Sequence, residues 1–304
     1  MVSEQLVWHR RWLQRWQSAH NTTRLMIGTW LGALVCLALM GYSIFGLLLL
    51  AALTTLGILT TLILTEKPPK VGRVVAGAPY NRVLSQIGVV LGIVALTSLS
   101  ISGYVPLWSE AINIFRGIGR AYFSRVLLDD PAATLGAFGA SFAIPLLLLV
   151  MLGARWQELG LRKGHRTGRI ALLWCALPVV FILLALWARA TTPASVLRNL
   201  SSGMFHAFGT EFLFRGALQT RLLRLLSLRW ALMLQALIFA LWHVPRLTPT
   251  LNGNLLAGVA YAIAHYGVIG LALGVIALRT RSLWAGTAFA AVLGVLGLLS
   301  YSLK

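Results

Sequence analysis

Residues 24–64 read RLMIGTWLGALVCLALMGYSIFGLLLLAALTTLGILTTLIL, and the only charge is Arg24 at the first position. A run of about 18 or more apolar residues is long enough to cross the hydrocarbon of a bilayer as a helix. This stretch can do so twice. Gly41-Tyr42-Ser43 breaks it near the middle, so it predicts a helical hairpin. Inside hydrocarbon the backbone must satisfy its own hydrogen bonds, and a helix does this without a neighbour.

Further apolar runs follow at 83–105, 131–154, 170–188, 201–225, 230–243, 255–278 and 283–303. The run at 201–225 is less apolar than the rest, and that at 230–243 is short. Together they predict an all-α, polytopic transmembrane helical bundle of eight or nine spans. Composition agrees. Of 304 residues, 58% are hydrophobic and 11% charged, whereas soluble domains carry about a quarter charged residues. No alternating strands suggest a β-barrel.

The net charge of +19 would suit a nucleic-acid-binding protein if the chain were soluble. Here Lys and Arg gather in alternate loops, as the positive-inside rule requires. Arg10, Arg11, Arg15 and Arg24 stand at the N-terminus. Lys67, Lys70, Arg73 and Arg82 follow the second span, and Arg155, Arg162, Lys163, Arg166 and Arg169 the fourth. Arg221, Arg224 and Arg229 follow the sixth, and Arg279 and Arg281 precede the last. All lie on one side if the N-terminus is cytoplasmic. Membrane lipids are therefore the expected surroundings, and no nucleic-acid partner is expected.

Three segments organise the chain. Residues 1–23 carry Trp8, Trp12 and Trp16 at four-residue spacing with Arg11 and Arg15 between them, which predicts an interfacial amphipathic helix. No apolar core follows these charges closely enough for a signal peptide. Residues 24–154 form an N-terminal transmembrane region, and residues 155–304 a second, core region. Residues 109–128, with Arg116, Arg120 and Arg125, share the mixed character of the N-terminus and are expected along the membrane surface. Cys36 and Cys175 lie in different spans and read as packing residues. Gly88/Gly92 and Gly270/Gly274 are GxxxG pairs and mark expected close helix contacts.

Seven acids are present: Glu4, Glu66, Glu110, Asp129, Asp130, Glu158 and Glu211. Only Glu211 falls inside an expected span. A charge there costs about 3 kcal/mol on insertion scales, so it needs a reason. Arg215 lies four residues on, in the favourable order for a helical ion pair. A packing pair is the simple reading, and a polar active site is the sharper one. His206, His243 and His265 are the histidines that helix packing could bring near it. By itself His265 reads as a packed structural residue.

Thr210-Glu211-Phe212-Leu213-Phe214-Arg215-Gly216, followed by Phe239-Ala240-Leu241-Trp242-His243, resembles the CAAX protease and bacteriocin-processing (CPBP, or Abi) family of intramembrane proteases. The family's first motif is Glu-Glu-x-x-x-Arg, usually followed by Gly, and its second is Phe-x-x-x-His. Glu158-Leu159-Gly160-Leu161-Arg162 resembles the entry to the family core, and Arg279 to Trp284 the approach to a third motif. The resemblance covers roughly residues 155–300. It implies a bacterial-type or plastid-related membrane, no cofactor and no metal. It also implies water activated by a Glu of the first motif and the His of the second, with a later His and a polar residue holding the oxyanion. The candidate catalytic residues are therefore Glu211, His243, Arg215 and His206.

The sequence departs from the family at three positions. Thr210 stands where the first Glu belongs, and Ala290 and Gly294 stand where the third motif's His and polar residue belong. A threonine is no base near neutral pH. The resemblance thus implies a CPBP-like protein with an incomplete glutamate/histidine peptidase site, a pseudoenzyme that binds a membrane partner or lipid. The alternative is an active endopeptidase that uses Glu211 and His243 on membrane-anchored or CAAX-type peptides, with His206 or His265 replacing the missing donor. A zinc site built from Glu211, His243, His206 and His265 lacks an HExxH or closely paired histidines. A proton pathway through Glu211 would need more polar residues than the later spans offer.

Overall fold

The computed structural model describes residues 21–66, 80–100, 106–124, 127, 130–162 and 164–302. The amphipathic helix expected over residues 1–23 lies almost wholly outside them, as do Lys67, Lys70, Arg73 and Arg125. The described residues form helices and connecting turns with no strand.

The opening hairpin is α1 (Asn21–Leu39) and α2 (Phe45–Leu64). Gly41 makes the turn at φ +81°, a left-handed conformation that glycine adopts without steric cost. Next come α3 (Tyr80–Ser100), α4 (Pro106–Tyr122), α5 (Pro131–Met151) and α6 (Thr167–Trp187). A continuous helix, α7, spans 193–225 and is followed by α8 (Leu228–Leu247), α9 (Leu255–Thr280) and α10 (Trp284–Ser302). Gly139–Ala143 in α5, Phe212–Gln219 in α7 and Ala262–Gly267 in α9 are π-helical. Such wide turns recur at functional sites.

Seven of these helices are long and apolar enough to cross a bilayer: α1, α2, α3, α5, α6, α8 and α9. In α10 the qualifying apolar stretch is shorter, Trp284–Gly297. In α7 the sequence is too polar to qualify, for a reason visible in the packing. Every residue from Phe212 to Gln219 is buried, and α3, α5, α8, α9 and α10 pack around α7. Its polar side chains meet protein rather than lipid, where they can be paired. By contrast, about four-fifths of the apolar windows of α2 and α6 face outward (17% and 22% buried). Leu56, Ile63, Leu172 and Leu183 on them are exposed, as lipid-facing side chains are.

The helix expected along the surface at 109–128 is α4, slightly earlier in the chain. It buries Trp108, Ile112 and Gly119 against α5 and exposes Leu107, Ile114, Ile118, Arg116 and Arg120. Two arginines of the basic loops cap a helix. Arg279 donates to Thr65 O at 2.9 Å and Leu62 O at 3.1 Å, and Arg166 donates to Leu64 O. Both arginines thus satisfy the C-terminal carbonyls of α2, where a cation also complements the helix dipole.

One GxxxG pair fulfils its expectation and the other does not. A β-carbon at Gly270 would stand 2.9 Å from Phe239 Cδ1, and one at Gly274 2.7 Å from Gln235 Oε1. Gly88 and Gly92 face open space, with nothing within 4 Å of the same position. Spacing alone does not create a contact where no helix lies opposite.

Candidate functional site

Two polar centres form around α7, and they are separate. The first holds Glu211 and Arg215, each 1% exposed. Arg215 Nη1 lies 3.0 Å from Glu211 Oε1, and Nη2 donates to the Gly270 carbonyl at 3.1 Å. The guanidinium carbon sits 4.4 Å from the centre of the Phe239 ring, a cation–π contact. One turn on, Gln219 donates to the Gly274 carbonyl at 3.0 Å. Arg215 and Gln219 therefore bond the carbonyls of the two glycines of the surviving GxxxG pair, whose bare α-carbons let α8 pack closely on α9.

Glu211 is closed in on its other side by α10. A β-carbon at Gly286 would be 2.5 Å from Glu211 Oε2. The carboxylate thus lies between the arginine that neutralises it and the bare backbone of Gly286. Such a fully buried pair is held by mutual neutralisation, and losing either member strands the other charge.

The second centre is a cleft of about 280 Å³, open on one side, lined by α3, α4, α5, α7 and α8. Arg116, Ser141, His206, Trp242, His243 and Arg246 line it. Glu211, Arg215 and Thr210 do not, and no acidic side chain is among the described lining residues. His243 Nδ1 lies 2.9 Å from the Phe239 carbonyl, so Nδ1 carries the proton and Nε2 is left as the acceptor. The His243 ring stacks on Tyr266 with centroids 3.7 Å apart and packs edge-on against Trp242 and Phe239. His206 lies over Trp242 at 6.5 Å. Trp242 in turn donates to Thr97 Oγ1 at 2.9 Å, which ties α8 to α3.

The four candidate residues read from sequence therefore divide into pairs. His206 and His243 share one cavity, while Glu211 and Arg215 form a closed ion pair outside it. Thr210, at the place of the family's first Glu, donates to the His206 carbonyl at 2.8 Å and so serves its own helix. His265 packs between Tyr261 and Tyr266, the structural role expected of it. Ala290 offers no side-chain donor, and Gly294 faces open space. The zinc arrangement is not assembled: no three His, Cys, Asp or Glu side chains cluster among the described residues.

Arg246 and Arg116 are the site residues that the sequence did not single out. Arg246 follows His243 by three positions, on the same helical face, which was the available signal. Arg116 had none, since it reads as an ordinary cation of a surface helix.

The family model for type II CAAX prenyl endopeptidase Rce1-like proteins matches residues 192–295. The matched stretch begins at the threonine that caps α7, includes both polar centres' residues on α7 and α8, and ends within α10. The match supports membership of the CAAX protease family and agrees with the resemblance carried by the two motifs. Neither the curated proteins nor the solved structures give a match.

Proposed function

We propose, on the premise that residues 192–295 carry a type II CAAX prenyl endopeptidase-like core, that this membrane protein has kept the family's cavity and lost peptide hydrolysis. In this reading it is a binding protein that holds a membrane-derived ligand between α4, α5, α7 and α8.

One observation carries the proposal: the remaining acid and the motif histidine do not share a cavity. General-base catalysis needs the base within about 3 Å of the proton it removes, directly or through one water. Glu211 is instead neutralised by Arg215 and walled by Gly286. His243 faces the cavity with a free Nε2 but no carboxylate beside it. An imidazolium formed there would stand among two guanidiniums, and Thr210 and Ala290 supply neither base nor oxyanion donor.

The test is cleavage of membrane-anchored peptides by the purified protein in detergent, alongside Glu211→Gln and His243→Ala. No cleavage by any form is the expected result. Cleavage by the wild type that both substitutions abolish would overturn the proposal.

A second reading, an active endopeptidase, is favoured by the meeting of His206 and His243 in one cavity. There His243 Nε2 takes the proton of the attacking water and His206 faces the developing oxyanion. That reading requires peptide cleavage to depend on His206 as well as His243.

The basic residues support a cytoplasmic N-terminus, in the bacterial-type or plastid-related membrane that the family resemblance implies. Arg166 and Arg279 sit at the end of the bundle that holds Thr65, together with Arg155, Arg162, Arg221 and Arg224. The positive-inside rule assigns that end to the cytoplasm.

A further inference from the structure

The cavity lining is apolar except for a few groups, and its charged members are all of one sign. Arg116 from α4 and Arg246 from α8 line the same space, with His206 and His243 beside them and no acid among the described lining residues. Arg246 makes no side-chain hydrogen bond or ion pair among the described residues. Arg116 is held only by Asn113 Oδ1 at 3.1 Å, a neutral acceptor that leaves its charge uncompensated. Of the described acids nearest the lining in sequence, Glu110 is exposed on α4 and Asp130 caps α5, its carboxylate accepting from the Ala133 N–H. Both guanidiniums stand exposed at the rim of this apolar space, and among the described residues no acid pairs with either. A guanidinium presents a rigid fork of donors matched to phosphate oxygens.

Size selects among anions. The cavity, about 280 Å³, lies just below the range of pockets that enclose a drug-sized ligand, about 300–1,000 Å³. It can hold a headgroup and the first carbons of a chain, and no more. Beside it, α4 exposes Leu107, Ile114 and Ile118 at the surface, the composition of a helix seated in the headgroup region. Acyl chains leaving the cavity past α4 enter bilayer directly.

Resting on the binding reading above, we propose that the occupant is an anionic phospholipid. Its phosphate lies against Arg116 and Arg246, its glycerol region fills the apolar cavity, and its chains stay in the membrane beside α4. Basic pockets between transmembrane helices recognise anionic headgroups by this chemistry.

The experiment is lipid binding to the full chain in detergent, followed by native mass spectrometry, with phosphatidylglycerol and phosphatidylcholine of identical chains. The wild type should retain phosphatidylglycerol at least about tenfold more strongly, the effect of one to two charge-assisted contacts. Arg116→Gln with Arg246→Gln should remove that preference and leave phosphatidylcholine binding unchanged. Arg155→Gln, at the opposite end, should change neither. Ala133→Trp, which fills the cavity from its exposed rim, should reduce both lipids. Inorganic phosphate at millimolar concentration should not displace the lipid.

Equal retention of the two lipids by the wild type, both lowered by Ala133→Trp, overturns the anion assignment and leaves the binding reading standing. Insensitivity of both lipids to Ala133→Trp removes the cavity as a lipid site and defeats the binding reading too. Displacement by inorganic phosphate overturns the phospholipid in favour of a free anion.

Discussion

Gly286 on α10 meets Glu211 on α7 so closely that a β-carbon at position 286 would stand 2.5 Å from the carboxylate oxygen Oε2. The absent side chain is what lets α10 close over Glu211, the one fully buried acid among the described residues. Gly286→Ala forces either the carboxylate or α10 to move. Overpacking of this kind costs about 1–3 kcal/mol. Gly294→Ala on the same helix, where a β-carbon meets nothing within 4 Å, should leave stability unchanged or slightly raised. Thermal unfolding of both variants in one detergent checks the contrast, and equal midpoints would contradict it.

The Glu211–Arg215 pair predicts an asymmetry between its partners. Arg215→Ala leaves a buried carboxylate without its cation and should cost about 3–5 kcal/mol. Glu211→Gln leaves the guanidinium with the Gly270 carbonyl and the Phe239 ring, so it should cost less, about 1–3 kcal/mol. The double variant should lose less than the sum of the two. A double-mutant cycle on unfolding free energy measures this, and strict additivity would show that the two groups are not coupled.

A second ionic cluster closes the basic end. Arg224 lies 2.8 Å from Glu158, and Arg221, 0% exposed, lies 3.9 Å from the same carboxylate oxygen. Arg221 also donates to Gln86 Oε1 at 3.2 Å and to the Gly216 carbonyl at 3.0 Å. Glu158→Gln leaves two neighbouring arginines without their acid and should destabilise by about 2–3 kcal/mol. Glu110→Gln, on the exposed face of α4, should stay within about 0.5 kcal/mol. Parallel unfolding measurements decide it; equal effects would remove the cluster's structural role.

Orientation is open to a direct check. Ser227, between α7 and α8, and Ala190, between α6 and α7, are exposed at opposite ends of the bundle. With Cys36 and Cys175 replaced by alanine, a membrane-impermeant thiol reagent applied to intact cells should label Ala190→Cys and spare Ser227→Cys. The reverse pattern would place the N-terminus outside.

Most of the fold was legible because hydrocarbon admits few structures, and long apolar runs declare themselves. The break at Gly41-Tyr42-Ser43 and the low hydropathy of residues 201–225 both correspond to real features, a left-handed turn and a helix shielded by its neighbours. The Glu211–Arg215 pair was legible from four-residue spacing alone. The separation of Glu211 from His243 was not. It depends on how α7 is rotated against α8, and Phe212–Gln219 is π-helical, so the regular 3.6-residue period no longer fixes which face a residue takes. Arg116 escaped for a related reason: only the packing of α7 and α8 beside α4 and α5 shows that it borders their cavity. Gly88/Gly92 misled because a motif for close packing says nothing about whether a partner is present.

The two arginines that cap α2 also set an order of assembly. The α1–α2 hairpin leaves the ribosome before α9, yet Trp30 of α1 donates to the Ala264 carbonyl at 3.2 Å, and Arg279 donates to Thr65 Oγ1 at 2.8 Å. These partners lie 234 and 214 residues further along the chain. At the usual rate of synthesis, about 5–20 residues per second, about 10 s or more separates the hairpin from the arrival of α9. Biogenesis of this protein therefore includes an interval in which α2 meets only Arg166 and Trp174 beside α6, while the partners of α1 and α2 on α9 are still to come.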